Sequence, residues 1–237
     1  MKSVKIKQMK SIIFTFCLLL TCVSAYTQDE TRDLGSYSSI SVSGSIAVDM
    51  HYGDPKAEIT MLKGDIDKLK TEIRSGNLRI YYDKKTWNSS SEKYKAKIDL
   101  YFNNVDDISV SAGSSLECDE LIKANNFDAD ASSGAHMEIN VEAGSVDSNV
   151  SSGALIYING ETKELDIDVS SGGSFKGAGL KAKEVDADAS SGGSAKVWAT
   201  ESIHADASSG GSVRYKGEPD KKDLNPGKWS GGQVSKL

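Results

Sequence analysis

The tripeptide Ser-Ser-Gly returns through the second half of this chain at an almost constant interval, and that interval restricts the possible folds more than any other feature. It occurs as Ser132-Ser133-Gly134, Ser151-Ser152-Gly153, Ser170-Ser171-Gly172, Ser190-Ser191-Gly192 and Ser208-Ser209-Gly210. Ser111-Ala112-Gly113 precedes the series as a variant, and Trp229-Ser230-Gly231-Gly232 follows it as a degenerate copy. From Gly113 to Gly210 the glycines are spaced 21, 19, 19, 20 and 18 residues apart. A fixed period of this length marks a repeat architecture.

Alignment on the glycines turns the sequence into columns. Three residues before Gly stand Val110, Ala131, Val150, Val169, Ala189 and Ala207. Five before stand Ile108, Ala129, Ser148, Ile167, Ala187 and Ala205, and seven before stand Asp106, Phe127, Val146, Leu165, Val185 and Ile203. The positions between are polar: Asp107, Asp128, Asp147, Asp166, Asp186 and His204 in one column, Ser109, Asp130, Asn149, Asp168, Asp188 and Asp206 in the other. Alternation with period two is the pattern of a strand with one buried face. It resumes beyond the Gly, where Leu116, Met137, Ile156, Phe175, Ala195 and Val213 occupy one column and Cys118, Ile139, Ile158, Gly177, Val197 and Tyr215 another. Between these lie Glu117, Glu138, Tyr157, Lys176, Lys196 and Arg214, which face water.

Each unit therefore reads as strand, Gly corner, strand and short return. About 19 residues with two short strands cannot bury an apolar face alone, but stacked units can. The fold this predicts is all-β: a single-stranded parallel β-helix, or β-solenoid, with coils of about 19 residues. Each strand pairs with its equivalent one coil away, about 4.8 Å along the axis. Gly sits where the chain bends sharply and a positive φ costs little. An antiparallel sandwich is the competing fold, but it does not require like residues in columns.

The first half is β-rich and less regular. Tyr37 to Tyr52 alternates, and Ser43-Gly44-Ser45 echoes the later corners. Strands are expected over Ala57 to Leu62 and Lys95 to Phe102, a hairpin around Ser75-Gly76, a helical turn N-capped by Asp65, and a polar loop over Lys84 to Lys93 carrying Trp87. No Pro- or Ser-rich linker divides the halves. The expected organisation is one continuous domain over 26–237, in which an irregular part (26–106) caps a repeat solenoid with its own C-terminal cap (107–237).

Residues 1–25 read as a secretory signal peptide. Lys2, Lys5, Lys7 and Lys10 form the basic segment, Ile12 to Leu20 the apolar one, and Val23-Ser24-Ala25 the cleavage site. Leu19-Leu20-Thr21-Cys22 resembles a lipobox, which makes Cys22 a lipidation candidate, although Thr before the Cys fits poorly. Beyond residue 25 the chain holds 24 Lys and Arg against 34 Asp and Glu, a formal charge of −10. That charge argues against nucleic acid as a partner. No later stretch is apolar enough to cross a bilayer as a helix, so the expected membrane link is a lipid at the N-terminus, and the expected location is extracytoplasmic: secreted, periplasmic or outer-membrane-associated. Of three cysteines, only Cys118 follows the signal, and its column makes it an apolar filler rather than a nucleophile.

The order of several segments resembles a known bacterial family. Ser43-Gly44-Ser45-Ile46-Ala47-Val48-Asp49 is followed by Tyr52-Gly53-Asp54, then Leu69-Lys70-Thr71-Glu72-Ile73, Gly76-Asn77-Leu78-Arg79-Ile80-Tyr81 and the Ser-Ser-Gly units. This is similar to the domain labelled "putative auto-transporter adhesin, head GIN domain", from about Tyr37 to Val234. The resemblance implies a pectin-lyase-like β-helix, a secreted or envelope location, and no established catalytic residues.

Three kinds of chemistry remain to be weighed. The outward Asp columns offer calcium candidates in Asp128, Asp130, Asp168, Asp188 and Asp206, since calcium takes carboxylate oxygens. Solvated strand-face charges are the simpler reading, and no cofactor is otherwise expected. A pectate-lyase-like enzyme would need clustered Asp and a nearby base. Lys176, Lys196 and Arg214 form a basic column, but across the corner from the acids, where they are expected to balance nearby carboxylates. Tyr157, Trp198, Tyr215 and Trp229 could form an aromatic strip for sugars. The reading preferred from sequence is a non-enzymatic, adhesin-like surface protein whose partner is a host or bacterial surface glycan or protein. A carbohydrate-binding or lyase-like β-helix acting on polysaccharide is the alternative.

Overall fold

The computed structural model of this protein describes residues 28–83, 94–227 and 230–237. The expected signal peptide with Cys22, the Lys84–Lys93 loop with Trp87, and Trp229 lie outside the described residues.

Sixteen strands run through the described residues. The first seven are β1 (Gln28–Asp33), β2 (Ser39–Ser43), β3 (Ile46–Tyr52), β4 (Lys56–Lys63), β5 (Leu69–Arg74), β6 (Asn77–Tyr82) and β7 (Lys95–Phe102). Then come β8 (Asp107–Ser111), β9 (Ser115–Ala131), β10 (His136–Val150), β11 (Leu155–Val169), β12 (Ser174–Ala189) and β13 (Ser194–Ala207). β14 (Ser212–Lys216), β15 (Lys221–Pro226) and β16 (Gln233–Lys236) close the chain. The long strands β9 to β13 stack in parallel, one per coil, and with the shorter strands on either side make a β-solenoid of about seven turns. The return is not a gap between strands. Each coil is one bent strand running from one Ser-Ser-Gly corner to the next, because the backbone stays paired through the bend, as in Glu142 with Glu161 and Ala143 with Thr162.

The corner is a two-residue turn with both central residues in the left-handed region. The serine before each Gly has φ of 47–54° and the Gly 71–75° from Ser133-Gly134 through Ser209-Gly210. The turn closes with a bond from the residue after Gly to the first Ser, as in Gly173 N to Ser170 O at 2.8 Å. Both central φ values above zero with this bond define a type I′ turn. The sequence pointed to the Gly; the left-handed serine before it was not foreseen. A non-Gly residue there costs roughly 1–2 kcal/mol. Part of what offsets that cost is visible at every corner. The second turn residue donates its N–H to the carbonyl of the first turn residue one coil on. The series runs from Ser45 to Ala112, Gly113 to Ser133 and Gly134 to Ser152, and on to Gly210 and Ser230, at 3.0–3.2 Å.

Variation in repeat length is confined to one part of the coil. β10 and β11 are offset by 19 residues from His136–Leu155 through Val150–Val169. Between the other long strands the register shifts beyond the post-corner columns: between Ile139 and Asn140, between Tyr157 and Asn159, and over Lys176–Glu184. The columns that flank the corner pair without interruption.

Inward columns are buried along the whole stack, from Leu116, Met137 and Ile156 to Val213. Cys118 packs there opposite Ile139 and is 2 % exposed. Ser148, the polar member of its column, donates its hydroxyl to Ala129 O at 2.6 Å. Two column assignments change. Val105, not Asp106, fills the inward slot in the first full repeat, while Asp106 is exposed. Gly177 adds no side chain because a Cβ there would lie 2.4 Å from the Phe175 ring.

The first half joins the same ladder. β2 pairs in parallel with β8 and β3 with β9, so Ser39–Tyr52 already forms a coil. Below it β6 and β7 pair in parallel with β2 and β3. The ladder then turns antiparallel, with β5 on β6, β4 on β7 and β1 on β4. Asp65 accepts a bond from Asp67 N and caps a 3-10 turn before β5. Strand β1 was not foreseen; it is polar throughout and is held by Arg32, which donates to Leu69 O at 2.9 Å. At the far end β15 and β16 carry Lys221, Lys222, Pro226 and Lys236, the residues that discourage pairing at an open edge.

The uniform offset of β10 and β11 gives a strict test. Deleting Asp147–Leu165 joins Val146 to Asp166 in register, stacking Ala131 on Val169 and Met137 on Phe175. That variant is expected to keep its β circular dichroism with a modestly lower melting temperature, whereas deleting Asp147–Ile156 should abolish folding. The corner gives a second test. Gly192 has φ +74° with open space around it, while a Cβ on Gly193 would lie 2.3 Å from Val169 O. Gly192→Ala should cost about 1 kcal/mol in denaturant titration, and Gly193→Ala at least about 2 kcal/mol.

Candidate functional site

Exact stacking turns outward columns into ladders of charge. On the pre-corner face, Asp107, Asp128, Asp147, Asp166 and Asp186 pair in sequence and are followed by His204 and Asp223. The neighbouring ladder holds Asp130, Asn149, Asp168, Asp188 and Asp206. Of the calcium candidates, Asp128 thus lies in one ladder and Asp130, Asp168, Asp188 and Asp206 in the other. Among the described residues, no three His, Cys, Asp or Glu side chains converge into a metal-binding group.

Neighbouring carboxylates shape the titration of this face. Asp128 has its pKa raised by partial burial, then by Asp147 and Asp107. Asp166 is raised by burial, then by Asp186 and Asp147, and Asp188 by burial, then by Asp168 and Asp206. Burial opposes protonation of His204, but Asp186, Asp206 and Asp223 outweigh it and raise its pKa. Its Nδ1 lies 3.1 Å from Asp223 and its Nε2 3.5 Å from Asp206. Two devices break up the repulsion. Asn149 donates from its backbone N and its side-chain Nδ2 to Asp130 Oδ1, at 3.0 and 3.1 Å, and Ser39 donates to Asp107 at 2.7 Å. Beside the first ladder a shallow groove runs along the axis, walled by Glu164, Glu184, Asp166 and Asp186 with Leu165 and Val185 as its floor.

The post-corner face has a different charge pattern. Its outward column reads Glu58, Asp99, Asp49, Glu117 and Glu138, then Tyr157, then Lys176, Lys196 and Arg214. The three cations do not balance nearby carboxylates as expected; among the described residues none of them forms an ion pair. Lys176 instead lies over the Tyr157 ring, 4.2 Å from its centroid. The acid-to-base order from Glu117 to Arg214 was readable in the sequence, but its continuation into Asp49, Asp99 and Glu58 needed the register of the first half.

Among the described residues, Tyr157, Trp198 and Tyr215 do not line up in an aromatic strip. Tyr215 points inward and is 7 % exposed, Trp198 has Lys216 stacked on it at 3.7 Å, and Tyr157 sits in a different column. Among the described residues, the basic column and the Asp ladders point outward on opposite sides of the corner and do not converge. Cys118 is buried, and burial pushes its thiol up to about 11. No helix among the described residues is long and apolar enough to cross a membrane.

This geometry defines a parallel β-solenoid whose polar chemistry lies in exposed ladders rather than in a cleft. The chain belongs to the family described as "Putative auto-transporter adhesin, head GIN domain", whose model matches residues 36–219. Crystal structures share the fold. A "putative adhesin" from Bacteroides fragilis is 17% identical with a TM-score of 0.73, covering 90% of this chain and 98% of that one. A "putative adhesin" from Parabacteroides distasonis is 21% identical with a TM-score of 0.68, covering 90% and 98%. One from Parabacteroides merdae is 17% identical with a TM-score of 0.69, covering 90% and 97%. Among curated proteins, none matches this chain.

The raised pKa values fix the sign of a pH effect. Asp128, Asp166, Asp188 and His204 bind protons more tightly folded than unfolded. Stability from these groups is present below their unfolded pKa values and is lost as pH rises through the folded ones. His204 should therefore raise the melting temperature at low ionic strength as pH falls from 7 toward 6, and the three aspartates should add to the rise as pH approaches the ordinary carboxylate range. Asp166→Asn should raise it at pH 7 and reduce the part of the rise that falls in the carboxylate range, and about 0.5 M NaCl should shrink both effects.

Proposed function

We propose that this chain is a non-enzymatic extracytoplasmic adhesion module, and that it binds surface protein or glycan through the acidic pre-corner face. The observation that carries this reading is the pair of in-register Asp ladders on an open, flat sheet. A repeating row of carboxylates about 4.8 Å apart suits ligands that present repeated cations. Such ligands include basic protein surfaces and amino sugars. The raised pKa values mark a face whose charge is under-compensated within the molecule, which favours a cationic partner. The family's description supports adhesion, and the separation of bases from acids supports the absence of catalysis. Calcium is assigned a screening role on this face, with Asp128, Asp130, Asp168, Asp188 and Asp206 as the residues it would screen.

Binding of the purified chain to glycan arrays and to immobilised basic proteins tests the reading. Asp147→Asn, Asp166→Asn and Asp186→Asn combined should weaken binding at least tenfold while leaving the fold intact by circular dichroism. Unchanged binding by that variant would exclude the acidic face, and ultraviolet absorbance growing on uronate polymers would exclude the non-enzymatic reading. Millimolar calcium should raise the melting temperature no more than magnesium at equal ionic strength. A calcium-specific rise would replace screening by coordination.

A further inference from the structure

The post-corner column is segregated by sign: acids occupy the N-terminal rungs, bases the C-terminal rungs, and Tyr157 the middle. Acids and bases of this column do not meet one another within one molecule; Lys176 donates to the Tyr157 hydroxyl instead, and Glu138 lies 4.0 Å from His136. Glu138 and Lys176 are two rungs apart, about 10 Å at strand spacing, with Tyr157 between them. Glu117 and Lys196 are farther apart still. Near the cap, Lys97 pairs with Asp49 at 2.9 Å and Lys56 with Glu58 at 2.6 Å. At the basic end Lys176, Lys196 and Arg214 have no carboxylate partner among the described residues.

A column of this kind is complementary to itself when reversed. We propose that this face is a self-association surface on which two copies pack with their solenoid axes antiparallel, about a twofold axis at Tyr157. Lys176 then meets Glu138 of the second copy, Lys196 meets Glu117, and Arg214 reaches Asp49 beside Lys97. Every pair occurs twice, as an isologous interface requires. The middle of the face has the composition of an interface centre. Tyr157 makes an edge contact with His136 at 5.9 Å, and Leu155 pairs beside His136. The adjoining outward column is Ser174, Ser194 and Ser212 at the basic end, small enough to let a flat partner approach. An apolar, aromatic centre with a charged rim is how specific interfaces are built.

The expected size sets the expected strength. A face roughly 30 Å along the axis and 17 Å across the strands buries about 500 Å² per copy, or about 1,000 Å² in all, the lower limit for a specific interface. The dimer should therefore be weak and salt-sensitive. The acidic pre-corner face lies across the corner and stays open in this dimer, so this inference and the proposed ligand face fail independently.

Sedimentation velocity of the purified chain from residue 26 tests it. At low salt the chain should dimerise at high micromolar concentration and dissociate in about 0.5 M NaCl. K176E/K196E and E117K/E138K should each be monomeric, and mixing the two should give a heterodimer. All four positions face outward, so circular dichroism should be unchanged; K176Q/K196Q, with no reversed charge, should also be weakened. Tyr157→Cys should form a disulfide-linked dimer under mild oxidation, whereas Arg214→Cys should not, since buried Cys118 does not compete. A wild-type chain that stays monomeric, double variants that associate as wild type, a mixture that does not associate, or equal cross-linking at 157 and 214 would each overturn the proposal.

Discussion

The hydrogen bond between successive corners sets the geometry of this molecule. Each corner donates one N–H along the axis to the carbonyl of the first turn residue in the next coil, from Ser45 to Ser230. That bond fixes the axial rise and the phase of every coil at one point of its circumference. With the phase fixed, a residue's distance from its own Gly decides whether it points into the core or out. The strained serines are the counterpart of this arrangement. A carbonyl aimed along the axis requires a left-handed residue before the Gly, and a small side chain is tolerated there without a clash.

Strict columns help the core and burden the surface. Inside, like stacks on like, and apolar side chains gain from it in each coil. Outside, like charges also stack. Two carboxylates one rung apart repel by about 1 kcal/mol in water and by about 3–4 kcal/mol at an effective dielectric of 20. The two outward faces handle this differently. The pre-corner face keeps its acids and inserts Asn149, Ser39 and His204 between or beside them. The post-corner face sorts its charges by sign, which leaves like charges adjacent at each end, relieved near the cap by Lys97 and Lys56. One solenoid thus presents a uniform acidic surface on one side of the corner and a polarised surface on the other.

What was legible in the sequence follows the same physics. Burial is a strong one-residue signal when it repeats in register, so Val169, Ile156 and Cys118 could be placed from spacing alone. Turn backbone leaves a weaker signal: Gly172 announced a positive φ, but Ser171 carries one too and looks like any polar residue. Asp106 misled because the first repeat contains an extra residue before its corner, which moves Val105 inward. An aromatic strip requires Tyr215 to face outward, but its own column is apolar, and its 7 % exposure agrees with the column. The antiparallel cap was visible only in pieces, because β1 has no buried face to betray it. Its strand character comes entirely from pairing with β4.

Unequal repeat lengths, which look like noise in the sequence, show how the ladders survive. Spacings of 21, 19, 19, 20 and 18 would scramble the columns if extra residues fell beside the corners. They fall instead in the arc after the post-corner columns, where Asp119 and Glu120 drop out of pairing with β10 and Gly177 and Ala178 together oppose Ile158. The register is restored before each next Asp ladder begins. Because the corner bonds hold one point of every coil, only the arc farthest from them is free to lengthen. Insertions there leave the inward columns packed and both charged faces in step, so the surface pattern depends on position relative to the corner and not on coil length.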